Sequence, residues 1–163
     1  MLRALLPLIA IGALCGALLM GTDQLTAARI ATNERQFSQA QLAALIGFVP
    51  ADEPAWRQNA WQVCDGPLVV RLSEPGYGGT VAALLAVQEH KLLGLRVTAH
   101  QETPGIADFV DRPADPWRAS LRGRNATQLA NLDGVVGATI TSRTLLRLAS
   151  RAVVHAPVEG CSR

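Results

Sequence analysis

Apolar positions change rhythm along this chain, and each change marks a predicted element. Residues 4–21 are apolar or small and carry no charge. As a helix rising 1.5 Å per residue they would span roughly 27 Å, close to a bilayer core. Over 24–48, Leu25, Ile30, Phe37, Leu42, Leu45 and Ile46 recur at helical intervals. Thr32 or Asn33 is the expected N-cap of that helix, and Gly47 with Pro50 its stop. Residues 50–60 are turn-rich. Shorter apolar runs over 61–64 and 67–73 predict strands, and 79–88 with 92–100, flanking Glu89-His90-Lys91, predict a β-hairpin. The first hairpin arm is apolar throughout and fits a helix by period alone; the matched second arm favours a strand. Residues 101–116 read as loop and 116–122 as a short helix. Finally, Leu145, Leu146, Leu148, Ala149 and Val153 repeat at helical spacing, so a C-terminal helix is expected to about residue 155, with Thr141 or Ser142 as its N-cap. Helices at both ends of an antiparallel sheet give the α+β class.

The N-terminal run bears on compartment. Arg3 lies before it, and the first cation after it is Arg29. By the positive-inside bias the N-terminus is cytoplasmic and the rest of the chain is exported. The competing reading is a cleaved signal peptide with Thr26-Ala27-Ala28 as its small-residue site, but the apolar run is longer than a usual signal core. A lipoprotein signal fails because Leu14, not a small residue, precedes Cys15. The expected organisation is therefore 1–22 as cytoplasmic tip and transmembrane anchor, 23–60 as helical connector, and 61–163 as the folded domain.

Charge narrows the function. With 15 basic and 13 acidic residues, net +2, the chain lacks the dense basic face of a nucleic-acid binder. Its three cysteines contain no CxxC pair, which excludes a zinc ribbon and a disulfide-dense scaffold. Whether Cys64 and Cys161 pair stays open at this level. His90, His100 and His155 lack ligand spacing, so no metal site is expected. Arg143, Arg147 and Arg151 share one face of the last helix. A solvated face, an acidic partner and lipid headgroups all fit that stripe.

The segment 133–142, Asp-Gly-Val-Val-Gly-Ala-Thr-Ile-Thr-Ser, carries the chemistry. Gly137-Ala138 strips bulk from the backbone just before Thr139 at a helix start. A phosphate on that hydroxyl would sit near free N–H groups and the positive end of the helix dipole. The plainer alternative is that Thr139, Thr141 and Ser142 merely compete to cap the helix.

The pattern Asp133-x-x-x-Gly137-Ala138-Thr139 resembles the flavinylation motif of the periplasmic FMN-binding domain family. Two further segments are similar, in order and spacing, to the G subunit of the Rnf ion-translocating electron-transport complex: Gly76-Tyr77-Gly78-Gly79 before an apolar strand, and the stretch 95–105 ending His100-Gln101-Glu102-Thr103-Pro104-Gly105. The single N-terminal anchor agrees. The C subunit of the sodium-translocating NADH:quinone reductase shares the domain and stands as the alternative, beside a non-catalytic interaction or assembly module. The resemblance implies an exported FMN-binding domain over 61–163. FMN would be esterified through its phosphate to Thr139, and Asp133, Gly137 and Ala138 would form the signature read by a flavin transferase. Ser142, Tyr77, Gly78, His100, Glu102, Thr103 and Gly105 would surround the cofactor, with Glu102 or a backbone N–H polarising the ring. No residue is required as a catalytic acid, base or nucleophile in turnover. The implied setting is an inner-membrane complex whose other subunits are the partners, with the membrane itself. One departure stands out: the family usually has Ser or Thr where this chain has Val136.

Overall fold

The computed structural model describes residues 2–50, 54–112, 114–155 and 161. They fall into two compact units, Met1–Ala40 and Gln41–Arg163. Helix α1 (Leu2–Ile46) is continuous, so the second start expected at Thr32 or Asn33 does not occur. Between Gly21 and Ala40 there is no proline, and Thr22, Thr26 and Thr32 turn their hydroxyls back onto carbonyls three or four residues earlier instead of opening a new helix. Pro7 lies in the first turns, where one lost backbone bond is tolerated. Within the first unit Leu8, Ile11, Leu14 and Leu18 stand exposed. The helix is long and apolar enough to cross a membrane.

The second unit is built on an antiparallel sheet of β1 (Ala60–Gln62), β2 (Leu68–Pro75), β3 (Thr80–Gln88) and β4 (Lys91–Ala99), in that order. Between β3 and β4, Glu89 and His90 both take positive φ, 50° and 59°. That is the signature of a two-residue turn matched to strand twist. Strand β3 is apolar throughout because it is covered twice. On one face Val81, Ala83, Leu85 and Val87 pack against Leu145, Leu148, Ala149 and Ala152 of α4 (Thr139–Val153). On the other, Leu84 and Ala86 meet Trp61 with Leu42 and Leu45 from the end of α1. A strand buried on both faces shows no alternation to read.

The open edge of the sheet, β4, is closed by the segment after it. Leu92 exchanges backbone hydrogen bonds with Arg124 (3.0 Å) and Gly123 (2.7 Å). Further along, the guanidinium of Arg118 donates to the carbonyls of Leu95 and Val110. Arg118 belongs to α2 (Pro116–Ala119), whose N-cap is Asp115. Burial, followed by the neighbouring charge of Arg96, lowers the Arg118 pKa. Helix α3 (Ala126–Ala130) starts with a capping box between Asn125 and Gln128. Cys64 and Cys161 form a disulfide, Cα–Cα 4.9 Å, across a separation of 97 residues. A link closing so long a loop contributes about 2–4 kcal/mol. The architecture is α+β.

Candidate functional site

Three segments converge at the start of α4: the glycine loop after β2, the loop after β4, and residues 133–138. The glycine loop is compact because the second segment presses on it. A Cβ on Gly78 would overlap the Gln101 carbonyl, and one on Gly76 would overlap the Glu102 carboxylate. Only glycine allows so close an approach.

Glu102 ties the first two to the start of α4. It is buried. One carboxylate oxygen accepts the N–H groups of Tyr77 (2.9 Å) and Gly78 (3.3 Å), and the other accepts the Thr141 hydroxyl. Both oxygens are thus committed to the scaffold, which makes Glu102 the organiser of the site rather than a free group aimed at a ring. His100 steadies it from behind. Its Nδ1 accepts the Glu102 N–H (3.2 Å), and Nε2 lies 3.0 Å from Asp111. The accepting role of Nδ1 assigns the ring proton to Nε2. Gly105 takes φ +85° and donates its N–H to Asp108 (2.6 Å), closing the turn after Thr103.

The third segment is pinned at its ends and open in its middle. The Trp117 indole donates to the Asp133 carbonyl (2.7 Å), with Phe109 edge-on against Trp117 at 5.3 Å. The fully buried Ser142 hydroxyl accepts the Val135 N–H (3.1 Å) and donates to the Ala138 carbonyl (3.0 Å). Between these anchors Gly137 takes φ +83°, with open space where a Cβ would be.

The expected N-cap at Thr141 or Ser142 is corrected here. The helix begins at Thr139, its N-cap is Ala138, and no side chain caps it. Thr141 spends its hydroxyl on Glu102, and Ser142 turns its own back onto the Ala138 and Thr139 carbonyls while accepting the Val135 N–H. The first-turn N–H groups therefore have no acceptor within the helix. Thr139 is exposed, and among the described residues its hydroxyl makes no hydrogen bond.

Thr139 also lies between two concavities. One, of about 350 Å³, is lined by Tyr77, Glu102, Thr103, Ile106, Ala138 and Ile140 among others. The other, an open groove of about 1080 Å³, runs past Asp133 and Val136 to Arg143 and Arg147. Gly137 and Thr139 line both. Four apolar side chains stand exposed around them: Val136 (99%), Tyr77 (70%), Ile106 (57%) and Ile140 (51%). Of the residues expected around a cofactor, Tyr77, Glu102, Thr103, Gly137, Ala138 and Thr139 share the smaller cavity and Asp133 the groove. Gly78, His100, Gly105 and Ser142 stand behind as support. Ile106, Ile140 and Thr141 also line the cavity. Ile140 and Thr141 directly follow Thr139, and Ile106 directly follows Gly105, so sequence adjacency was the only signal for them.

The arginine stripe divides. Arg147 and Arg151 reach Glu74 of β2, Arg147 at 4.0 Å. Among the described residues Arg143 has no such partner, and it lies one turn beyond Thr139. No cluster of potential metal ligands occurs among the described residues.

This geometry defines a domain with an open hydroxyl, an uncapped helix start and an apolar rim, and residues 76–154 match the FMN-binding domain family. Proteins named as the G subunit of the ion-translocating oxidoreductase complex are similar to this chain. The Stutzerimonas stutzeri protein is 30% identical over 166 residues, covering 84% of this chain and 72% of its own. That of Pseudomonas aeruginosa strain UCBPP-PA14 is 31% identical over 99 residues, 53% of this chain and 46% of its own. In Cereibacter sphaeroides strain ATCC 17029 the figures are 37% over 83 residues, 44% and 38%. The chain belongs to this G-subunit family. It spans about half the length of the Pseudomonas relatives it matches.

Proposed function

We propose that this chain is an electron-transfer subunit of an ion-translocating oxidoreductase complex and carries FMN as a phosphoester on Thr139. One observation carries the reading. Of the three hydroxyls at the start of α4, those of Thr141 and Ser142 are locked into the scaffold, while Thr139 alone is exposed and uncommitted.

The residues present fit the group. A phosphate on the Thr139 oxygen would be held by the uncapped N–H groups of the first turn and the positive end of a 15-residue helix dipole. Arg143, one turn on, supplies an unpaired positive charge. Tyr77, Ile106, Val136 and Ile140 offer apolar surface for a flat ring. Bound FMN supplies one- and two-electron chemistry, and the protein's part is to hold it and set its surroundings. Glu102 fixes the glycine loop against α4, so the rim keeps its shape. Gly137 keeps the approach to Thr139 free of side chains, as a separate flavin transferase would require.

The reading places α1 across an inner membrane, the N-terminus cytoplasmic and the folded domain periplasmic, with other subunits of the complex as neighbours. The apolar helix and the Cys64–Cys161 disulfide support it, since structural disulfides persist in oxidising compartments.

The test is in-gel flavin fluorescence and intact mass of the denatured chain, made in a host with an export route and a flavin transferase. The expected result is one FMN less one water on the parent and none on Thr139→Ala. An unlabelled parent under those conditions sinks the covalent reading.

A further inference from the structure

A second cavity, of about 320 Å³, lies beside the edge strand β4, away from Thr139. Three arginines line it: Arg96 of β4, Arg118 of α2, and Arg122 just after it. Leu45, Leu95 and Leu121 form its apolar wall. Gly94 leaves room at the floor, where a Cβ would stand 3.0 Å from Leu45 Cδ1 and 3.7 Å from Arg122 Nη2.

The charge here is unbalanced. Arg118 is buried, and two of its donors are spent on carbonyls, so its charge stays without a carboxylate in contact. The acids that act on it from a distance are Asp115 and Asp111. Both are occupied, Asp115 capping α2 and Asp111 bound to His100. Among the described residues Arg96 and Arg122 have no ion-pair partner. Three like charges around one concavity repel one another, and an oxyanion would remove that cost. Guanidinium forks suit phosphate oxygens, which they bind in pairs.

We propose that this cavity is a phosphate-binding site, separate from the Thr139 site and filled by free phosphate or by the phosphate of an anionic lipid headgroup. Arg96 and Arg122 supply the mobile donors. Arg118 supplies fixed positive charge from behind.

The test uses the full chain at low ionic strength, where screening is weakest. One arm titrates detergent-solubilised protein with inorganic phosphate by calorimetry. The other compares melting in nanodiscs of phosphatidylcholine with and without phosphatidylglycerol. Saturable binding or stabilisation is expected in one arm, and that arm identifies the source. The double variant Arg96→Gln/Arg122→Gln, which breaks no side-chain hydrogen bond or ion pair among the described residues, should weaken it at least tenfold. Arg143→Gln, in the Thr139 groove, should leave it within twofold. No response in either arm overturns the proposal. So does a response that Arg143→Gln removes while the double variant retains it, because the anion is then at the Thr139 end. The variants separate the two ends of the molecule, so failure here leaves the flavin reading of Thr139 standing.

Discussion

On the glycine-loop side of Thr139, backbone presses on backbone: a Cβ on Gly78 finds the Gln101 carbonyl in its place, and a buried carboxylate takes three hydrogen bonds. On the other side, residues 136 and 137 stand clear, with Val136 almost fully exposed and empty space beside Gly137. Both walls contain glycines in a short motif, yet for different reasons. The glycine loop needs absence of bulk because the fold is closed there, whereas Gly137 provides a left-handed backbone and an unobstructed path where the fold is open. A rigid bed on one side and an accessible lip on the other suit a group attached from outside and then held still.

The largest test of that contrast is a pair of identical substitutions. Gly78→Ala pushes a methyl group into a backbone carbonyl that cannot rotate away and should cost about 3 kcal/mol. Gly137→Ala meets no neighbour and should cost only about 1–2 kcal/mol, for its positive φ. For a unit of this size each kcal/mol shifts the melting midpoint by roughly 4 °C. Tryptophan-fluorescence melts of the two variants check the order, and equal losses would break the comparison.

Next in size is Glu102→Ala. It leaves the Tyr77 and Gly78 N–H groups and the Thr141 hydroxyl without their acceptor, at about 2–3 kcal/mol. Thr141→Val, which removes one of the three donors, should lose about 1 kcal/mol. In the Glu102→Ala background it should lose almost nothing more, because the partner is already gone. Denaturant melts of the two single variants and the double variant measure this coupling. Additive losses would mean that Glu102 does not join the two segments.

The same contrast explains what could be read from the chain. The hairpin was legible because its signal is local: two apolar arms around Glu89-His90-Lys91. The membrane-length helix was legible from its uncharged run. Thr139 was singled out by neighbouring small residues and by resemblance. The start of α4 was not legible, since Thr141 and Ser142 are good caps by residue type. Two things override type: the Glu102 carboxylate, 39 residues away, takes the Thr141 hydroxyl, and Ser142 folds its hydroxyl back onto residues 135–139. The hold of Trp117 on the Asp133 carbonyl spans 16 residues and the pairing of Cys64 with Cys161 spans 97. The Glu102 contacts that build the closed wall join residues 24 to 39 positions apart, beyond any short window of sequence.

The smallest expected effect on stability tests the open wall. Val136 is 99% exposed and packs against nothing. Val136→Thr therefore exchanges one β-branched side chain for another in solvent, and the melting midpoint should move by less than about 0.5 kcal/mol equivalent. Its hydroxyl would face outward beside Thr139, where only a visitor can use it. If the lip is a surface read by a transferase, the variant should label with flavin faster than the parent, at unchanged final stoichiometry. If Val136 were structural instead, stability would move and labelling would not. A time course of in-gel fluorescence beside a melt of the same preparation separates the two, because the rate reports on the visitor and the melt on the fold.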